Sequence, residues 1–359
     1  MKRVPDGVAK SSPEGASLRV SEVARNGPGW TGEAFRLGFG CAAMMGRVGR
    51  KDSLAALGAA YDAGIRFFDV ARSYGYGEAE ALLGEFLRGR RSEALISTKF
   101  GIVPAAKGPL SPARSLKPLV RSLLRVAPGA RRMLQQRLAS QSSAGHFSVA
   151  DLHASLEISL RALRTDYVDI LFLHEPPSSV LQQDELFTAL GRLVAAGKVR
   201  WVGVAATPQG IEATLAARPL GVRYLQFACN LSNLGVAQRV VARADGDLIS
   251  MANHPFGGPA GVAAGKALLG SLASAPTTPL SLQEKLRSAD DALLADVVLN
   301  LVTKAIGVQI VLASMLTLEH LGANLAALRQ SRFDAEELRW LREIVASGQV
   351  PAPAGARQA

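Results

Sequence analysis

Asp69, Tyr74, Lys99 and His174 are four side chains that together can move a proton to or from an oxygen atom. A phenol ionises near a pKa of ~10 and serves better as a general acid near neutral pH when that value falls. A neighbouring ammonium such as Lys99 favours the phenolate and lowers it. A buried ammonium needs a counter-ion, which Asp69 can supply. A neutral imidazole, His174, can orient a carbonyl oxygen. The set suits protonation of a carbonyl oxygen while its carbon receives a hydride, or the reverse on an alcohol. Singly, each has a plainer reading: a strand-end Asp as a turn residue, a loop Tyr as packing, a Lys as a solvated charge, a His as a satisfied core residue. The coincidence of all four at corresponding places argues for chemistry.

Those places are the ends of apolar runs. Asp69 closes "GIRFFDV", Lys99 closes "ALISTKF" and His174 closes "YVDILFLH". Tyr74 lies just beyond Asp69 in "SYGYGEAEALLGEFL", where glycines lend the turn freedom to present a phenol. Similar short runs occur at "RLGFGCA", "KVRWVGVA", "RYLQFA", "DLISMA" and "VQIVLAS", and read as strands buried on both faces. Helical patterns alternate with them. "SLAALGAAYDAG" ends at Gly64, and "SVADLHASLEISLRAL" opens on a capping-box pair, Ser148 and Asp151. "QDELFTALGRLVAAG" ends at Gly197, and "ADDALLADVVLNLVTKAI" precedes the last strand. Eight strands alternating with helices imply parallel pairing through right-handed crossovers. A doubly wound sheet competes with a (β/α)8 TIM barrel. Regular units favour the barrel, and "GFGCAAMMG" lacks the third glycine of a dinucleotide-binding Rossmann turn. In a barrel, strand C-terminal ends share one rim, so the four residues meet.

The stretches "GIRFFDVARSYGYGEAEALLGEFL", "ALISTKFG", "DYVDILFLHEP", "GKVRWVGVA" and "YLQFACN" resemble the aldo-keto reductase superfamily over roughly Leu37 to Leu328. The D-x4-Y-G pattern followed by the Lys and His strand ends is highly specific to it. The resemblance implies a barrel that binds NADP(H) or, less often, NAD(H), and a small-molecule carbonyl or sugar substrate. It implies Tyr74 as general acid, Lys99 and Asp69 tuning it, and His174 orienting the carbonyl.

The same resemblance implies a cofactor site with departures. Gly40 and Cys41 fall near the cofactor. Ala205 and Ala206 stand where Ser-Asn usually binds the nicotinamide carboxamide, with Thr207 as a replacement hydrogen-bonding group. The family's Gln after strand six is Gln226. Asn253 replaces the stacking aromatic after strand seven. His254, Phe256 and Gly257 fall where the pyrophosphate is contacted. After strand eight, Ser314 and Met315 occupy the anion-binding turn, His320 the position of a basic residue facing the adenosine 2′-phosphate, and Asn324 matches. The departures imply weakened dinucleotide binding and motivate a rival reading: a non-catalytic barrel acting as a regulatory or interaction protein.

The chain of 359 residues, 48% hydrophobic, can bury a large core. Its organisation reads as a partly disordered N-terminal arm (1–36), a barrel (37–330) with a basic insertion (101–146), and a C-terminal helix and tail (331–359). No apolar run is long enough to span a bilayer, the first residues lack the apolar centre of a signal peptide, and Cys41 and Cys229 make no disulfide framework. A reduced, cytoplasmic protein is expected. No metal-ligand spacing and no P-loop is present. The net charge of +11 is concentrated: Gly101 to His146 holds Lys107, Arg114, Lys117, Arg121, Arg125, Arg131, Arg132 and Arg137 without one acid. A solvated insertion, a lid attracting anionic substrates, and a surface for anionic membranes or nucleic acid all fit that charge. Nucleic acid ranks last, because Phe147 is the one aromatic nearby. Met44 and Met45 suit an apolar pocket rim or the core.

Overall fold

The apolar runs become β1 (Leu37–Gly40), β2 (Phe67–Asp69), β3 (Leu95–Phe100), β4 (Val168–His174), β5 (Val199–Ala205), β6 (Val222–Ala228), β7 (Ile249–Asn253) and β8 (Ile310–Ala313). All neighbours pair in parallel, and Leu37 opposite Val311 closes the ring, so the fold is a (β/α)8 barrel. The computed structural model describes residues 36–104, 145–244 and 247–347. The expected N-terminal arm, apart from Arg36, lies outside the described residues. So do 105–144 of the basic insertion and the tail from 348.

Side chains on a strand alternate between faces. One parity fills the barrel: Phe67, Leu95, Ile170, Phe172, Tyr224, Ile249, Met251, Ile310 and Leu312 form one buried cluster. Gly203 makes room there, because a Cβ on it would stand 2.4 Å from the Phe172 ring. The other parity, with Phe68, Ile96, Leu171, Leu173, Val204, Leu225 and Val311, packs outward against the helices. Continuing the inward parity toward the C-terminal ends gives Asp69, Lys99, His174, Gln226 and Asn253. The sequence therefore turns from apolar to polar along the barrel axis.

Among the described residues the helices are α1 (Arg50–Asp62), α2 (Ala79–Phe86), α3 (Val149–Leu163), α4 (Asp184–Ala195), α5 (Pro208–Ala217), α6 (Leu234–Arg243), α7 (Gly258–Ser274), α8 (Leu280–Leu286), α9 (Asp291–Asn300), α10 (Leu318–Arg329) and α11 (Ala335–Ser347). The Ser148 hydroxyl accepts from Asp151 N, and Asp151 accepts from Ser148 N, so the capping box forms. Gly64 and Gly197 take positive φ just beyond α1 and α4. α9 passes into a π-helical turn, Leu301–Ala305, before β8. α11 closes against the body of the fold through Leu338 and Leu341, both buried, and its Glu337 accepts from Lys285 of α8.

One buried carboxylate ties three strands together. Asp169 of β4 is fully buried and accepts from Arg91 (2.8 Å), from the Ile96 backbone N–H (2.8 Å) and from Arg200 (2.9 Å). No described helix is long and apolar enough to cross a membrane.

Candidate active site

β2 and β3 pair with Asp69 opposite Ser97, which places Lys99 one inward position higher. The Lys99 ammonium donates to both Asp69 carboxylate oxygens at 2.7 Å and to the Val70 carbonyl at 3.2 Å. Its side chain is 1% exposed, which rules out the solvated reading of this lysine. Asp69 Oδ1 also accepts from the Ser97 hydroxyl at 2.7 Å and from Gln226 Nε2 at 3.0 Å. The pair is buried yet well supplied with hydrogen bonds, as a buried ion pair requires.

Tyr74 opens a tight turn, Tyr74–Gly77, in which Gly75, Tyr76 and Gly77 are all left-handed. A Cβ on Gly75 would stand 2.6 Å from the Met44 carbonyl oxygen and 2.7 Å from Met45 Cβ. The glycine thus serves close approach and backbone geometry: it seats the turn against the segment after β1. Tyr76, 60% exposed, holds the same left-handed geometry on the outside of that turn. The Tyr74 ring lies 4.9 Å from Lys99 Nζ. The His174 ring meets it edge-on, centroids 6.5 Å apart and planes at 87°. Residues of β2, β3, β4 and the turn after β2 thus come together at one rim.

The electrostatics depart from one expectation. Burial pushes the Tyr74 phenol above its ordinary value. Lys99, by its charge and by hydrogen bonding, pulls it down, and Asp69 pushes it up again. The lysine acts in the expected direction, but burial outweighs it, and the phenol keeps its proton at neutral pH. His174 is pushed down to about 3, first by burial and then by the Lys99 charge, so its imidazole is neutral. Burial disfavours the Lys99 ammonium, but Asp69 and Tyr74 outweigh it, and the group ionises above its ordinary value.

A second layer stands behind. Thr98, on the outward parity, donates to Glu80 at 2.6 Å, and Arg72 donates to Ser155 at 3.0 Å. Glu80 is buried, and that burial raises its carboxyl. Sequence reasoning passed over Ser97 and Glu80. Period-two spacing from Lys99 signals Ser97 in "LISTKF"; nothing local signals Glu80.

The other expected residues spread along the β5–β8 arc and onto β1. Gln226 lies within β6, which runs on to Ala228, and not after it. Its Oε1 and Asn253 Oδ1, on neighbouring strands, are buried without a partner. Ala205 and Ala206 are buried. Thr207 caps α5 by accepting from Gly210 N. His254 and Gly257 have positive φ, Phe256 is half-buried, and the long helix α7 begins at once with Gly258, also at positive φ. The Ser314 hydroxyl donates to the Gly40 carbonyl at 3.1 Å, joining the ends of β8 and β1. Met315 and Asn324 are buried, and His320 is exposed in the first turn of α10. Cys41 is fully buried; burial, with Asp69 nearby, raises its thiol well above the usual range, so it is no thiolate.

These residues fit a nicotinamide dinucleotide. Two orphaned buried carbonyl oxygens on adjacent strands suit the two N–H donors of a carboxamide. The glycine-led N-terminus of α7 suits a diphosphate. Ala205, Ala206 and Asn253 supply neither a Ser-Asn pair nor a stacking ring.

The chain matches the aldo/keto reductase family over residues 36–346 and belongs to it. It is 31% identical over 212 residues to an aryl-alcohol dehydrogenase of Pestalotiopsis microspora, covering 58% of this chain and 46% of the relative. It is 30% identical over 201 residues to a norsolorinic acid reductase of Aspergillus flavus, covering 54% and 41%. The chain thus spans less than half the length of these curated relatives. Among solved structures, an aldo-keto reductase from Bacillus halodurans in its holo form aligns with a TM-score of 0.60 at 19% identity, covering 90% and 95% of the two chains. One from Klebsiella pneumoniae in complex with NADPH aligns at 0.56 and 22%, covering 90% and 93%. These two likenesses concern the fold.

Proposed function

We propose that this chain interconverts a carbonyl compound and its alcohol with a nicotinamide dinucleotide, and that Tyr74 gives and takes the proton. One observation carries the reading: the buried Lys99 ammonium, held by Asp69, lies beside the Tyr74 ring, with a neutral imidazole edge-on to it. A bound dinucleotide would supply or remove the hydride. In the reductive direction Tyr74 Oη holds its proton until the substrate oxygen gains charge. Lys99 stabilises the phenolate left behind. Asp69 keeps Lys99 ionised and aimed. His174, neutral, donates to the substrate oxygen and fixes its approach.

Gln226 and Asn253 would hold the carboxamide, and the start of α7, with His254, Phe256 and Gly257, the diphosphate. Gly40, Cys41, Ala205, Ala206, Ser314, Met315, His320 and Asn324 complete the proposed dinucleotide contacts by family position. The reading takes NADP(H) or NAD(H). The aryl-alcohol dehydrogenase among the relatives puts aromatic aldehydes and alcohols first among the substrates to test.

The test is a titration of the full chain with NADPH and with NADH, followed by tryptophan fluorescence, then carbonyl-dependent consumption of whichever binds. Saturable binding in the micromolar range with turnover supports the reading. Absence of binding at millimolar dinucleotide overturns it.

A further inference from the structure

Asp69 Oδ1 receives three donors: Lys99, the Ser97 hydroxyl and the Gln226 amide. Oδ2 receives Lys99. β6 lies four strands from β2 in an eight-stranded ring, so Gln226 reaches Asp69 across the barrel axis. All four side chains are buried. The other end of the Gln226 amide, Oε1, is buried with no partner.

We infer that Ser97 and Gln226 are positioning residues that act on Tyr74 through Asp69, and that the Gln226 amide couples this pair to a bound nicotinamide carboxamide. The inference rests on the proposed function. Asp69's charge opposes a phenolate at Tyr74, whereas Lys99's charge favours one. Each neutral donor on Asp69 draws part of its charge away from the phenol, so Ser97 and Gln226 set how far the balance leans toward Lys99. An N–H delivered to Gln226 Oε1 polarises that amide and strengthens its bond to Asp69. Dinucleotide binding then eases proton release from Tyr74. By linkage, loss of that proton strengthens dinucleotide binding.

The experiment places a difluorotyrosine, a stronger acid than tyrosine, at position 74 of the full chain and follows its ionisation by fluorine NMR. Ser97→Ala and Gln226→Met are compared with the parent. Each should move the titration midpoint up by roughly half a unit, a fraction of the about one to two units that a hydrogen bond to an ionised carboxylate is worth on the carboxylate itself. Saturating NADPH should lower the midpoint in the parent and in Ser97→Ala but not in Gln226→Met. Parent-like midpoints in both variants overturn the positioning role, and if either variant fails to fold the other decides. An NADPH shift that survives Gln226→Met overturns the coupling. The titration of the free protein needs neither turnover nor dinucleotide. It therefore fails separately from the proposed function, which a fully active Tyr74→Phe would refute without moving these midpoints.

Discussion

The imidazole of His174 stands edge-on to the phenol of Tyr74, ring centres 6.5 Å apart and planes at 87°. One ring holds a proton it can give; the other is neutral because burial and the Lys99 charge push its value down to about 3. The unfolded chain takes up a proton at this histidine near its ordinary ~6.5. The folded-state value is the lower one, so its contribution to stability is present above about 6.5 and is lost as pH falls toward 3. Thermal midpoints recorded across that window should fall more steeply for the parent than for His174→Gln. Parallel curves would contradict a neutral buried imidazole.

Tyr74 sets a different limit. Because burial outweighs Lys99, the phenol stays protonated through neutral pH. Reduction should show a level kcat/KM across neutrality and decline only above roughly 10, whereas alcohol oxidation should rise toward high pH. A basic limb near neutrality in the reductive direction would show that the lysine prevails.

Removing the counter-ion should be costly. Asp69→Asn leaves Lys99 buried without a paired charge, which destabilises by roughly 3–5 kcal/mol, and turnover should fall about 10²-fold or more. Adding Lys99→Met should recover stability in urea unfolding without recovering turnover. A double variant no more stable than Asp69→Asn would mean that the unpaired Lys99 ammonium is not what destabilises the single variant.

Gly84, inside α2, reverses a usual expectation. Glycine to alanine in a helix commonly gains about 1 kcal/mol. Here a Cβ would stand 2.5 Å from the Leu163 carbonyl carbon and oxygen and 2.6 Å from the Ala162 oxygen. Gly84→Ala should lose roughly 1–3 kcal/mol, read as a lower urea midpoint at unchanged slope. A gain would mean that α2 and α3 part easily.

Much of the barrel could be read in advance because strands buried on both faces leave continuous apolar runs, and polar residues closing them stand out. Asp69, Lys99 and His174 were visible for that reason. "RYLQFA" ends where β6 ends, at Ala228, and Gln226 lies inside it rather than after it, so a polar side chain within an apolar run, not one closing it, marks this position. Helices α7 and α8 carried no clear signal, since "GPAGVAAGKALLGSLAS" is rich in small residues and presents no sharp apolar stripe. The Gln226–Asp69 bond joins positions 157 residues apart and depends on ring closure. The direction of the Tyr74 shift is a sum of opposing effects, and the largest of them, burial, is set by packing and not by neighbours in sequence.

The most direct test is the single-turnover rate of carbonyl reduction by Tyr74→Phe, with its fold checked by circular dichroism and its dinucleotide affinity by fluorescence. Loss of the hydroxyl should leave fold and affinity in place and lower the rate by about 10²- to 10⁴-fold. A properly folded variant that reduces carbonyls at the parent's rate would contradict the assignment of Tyr74 as the acid.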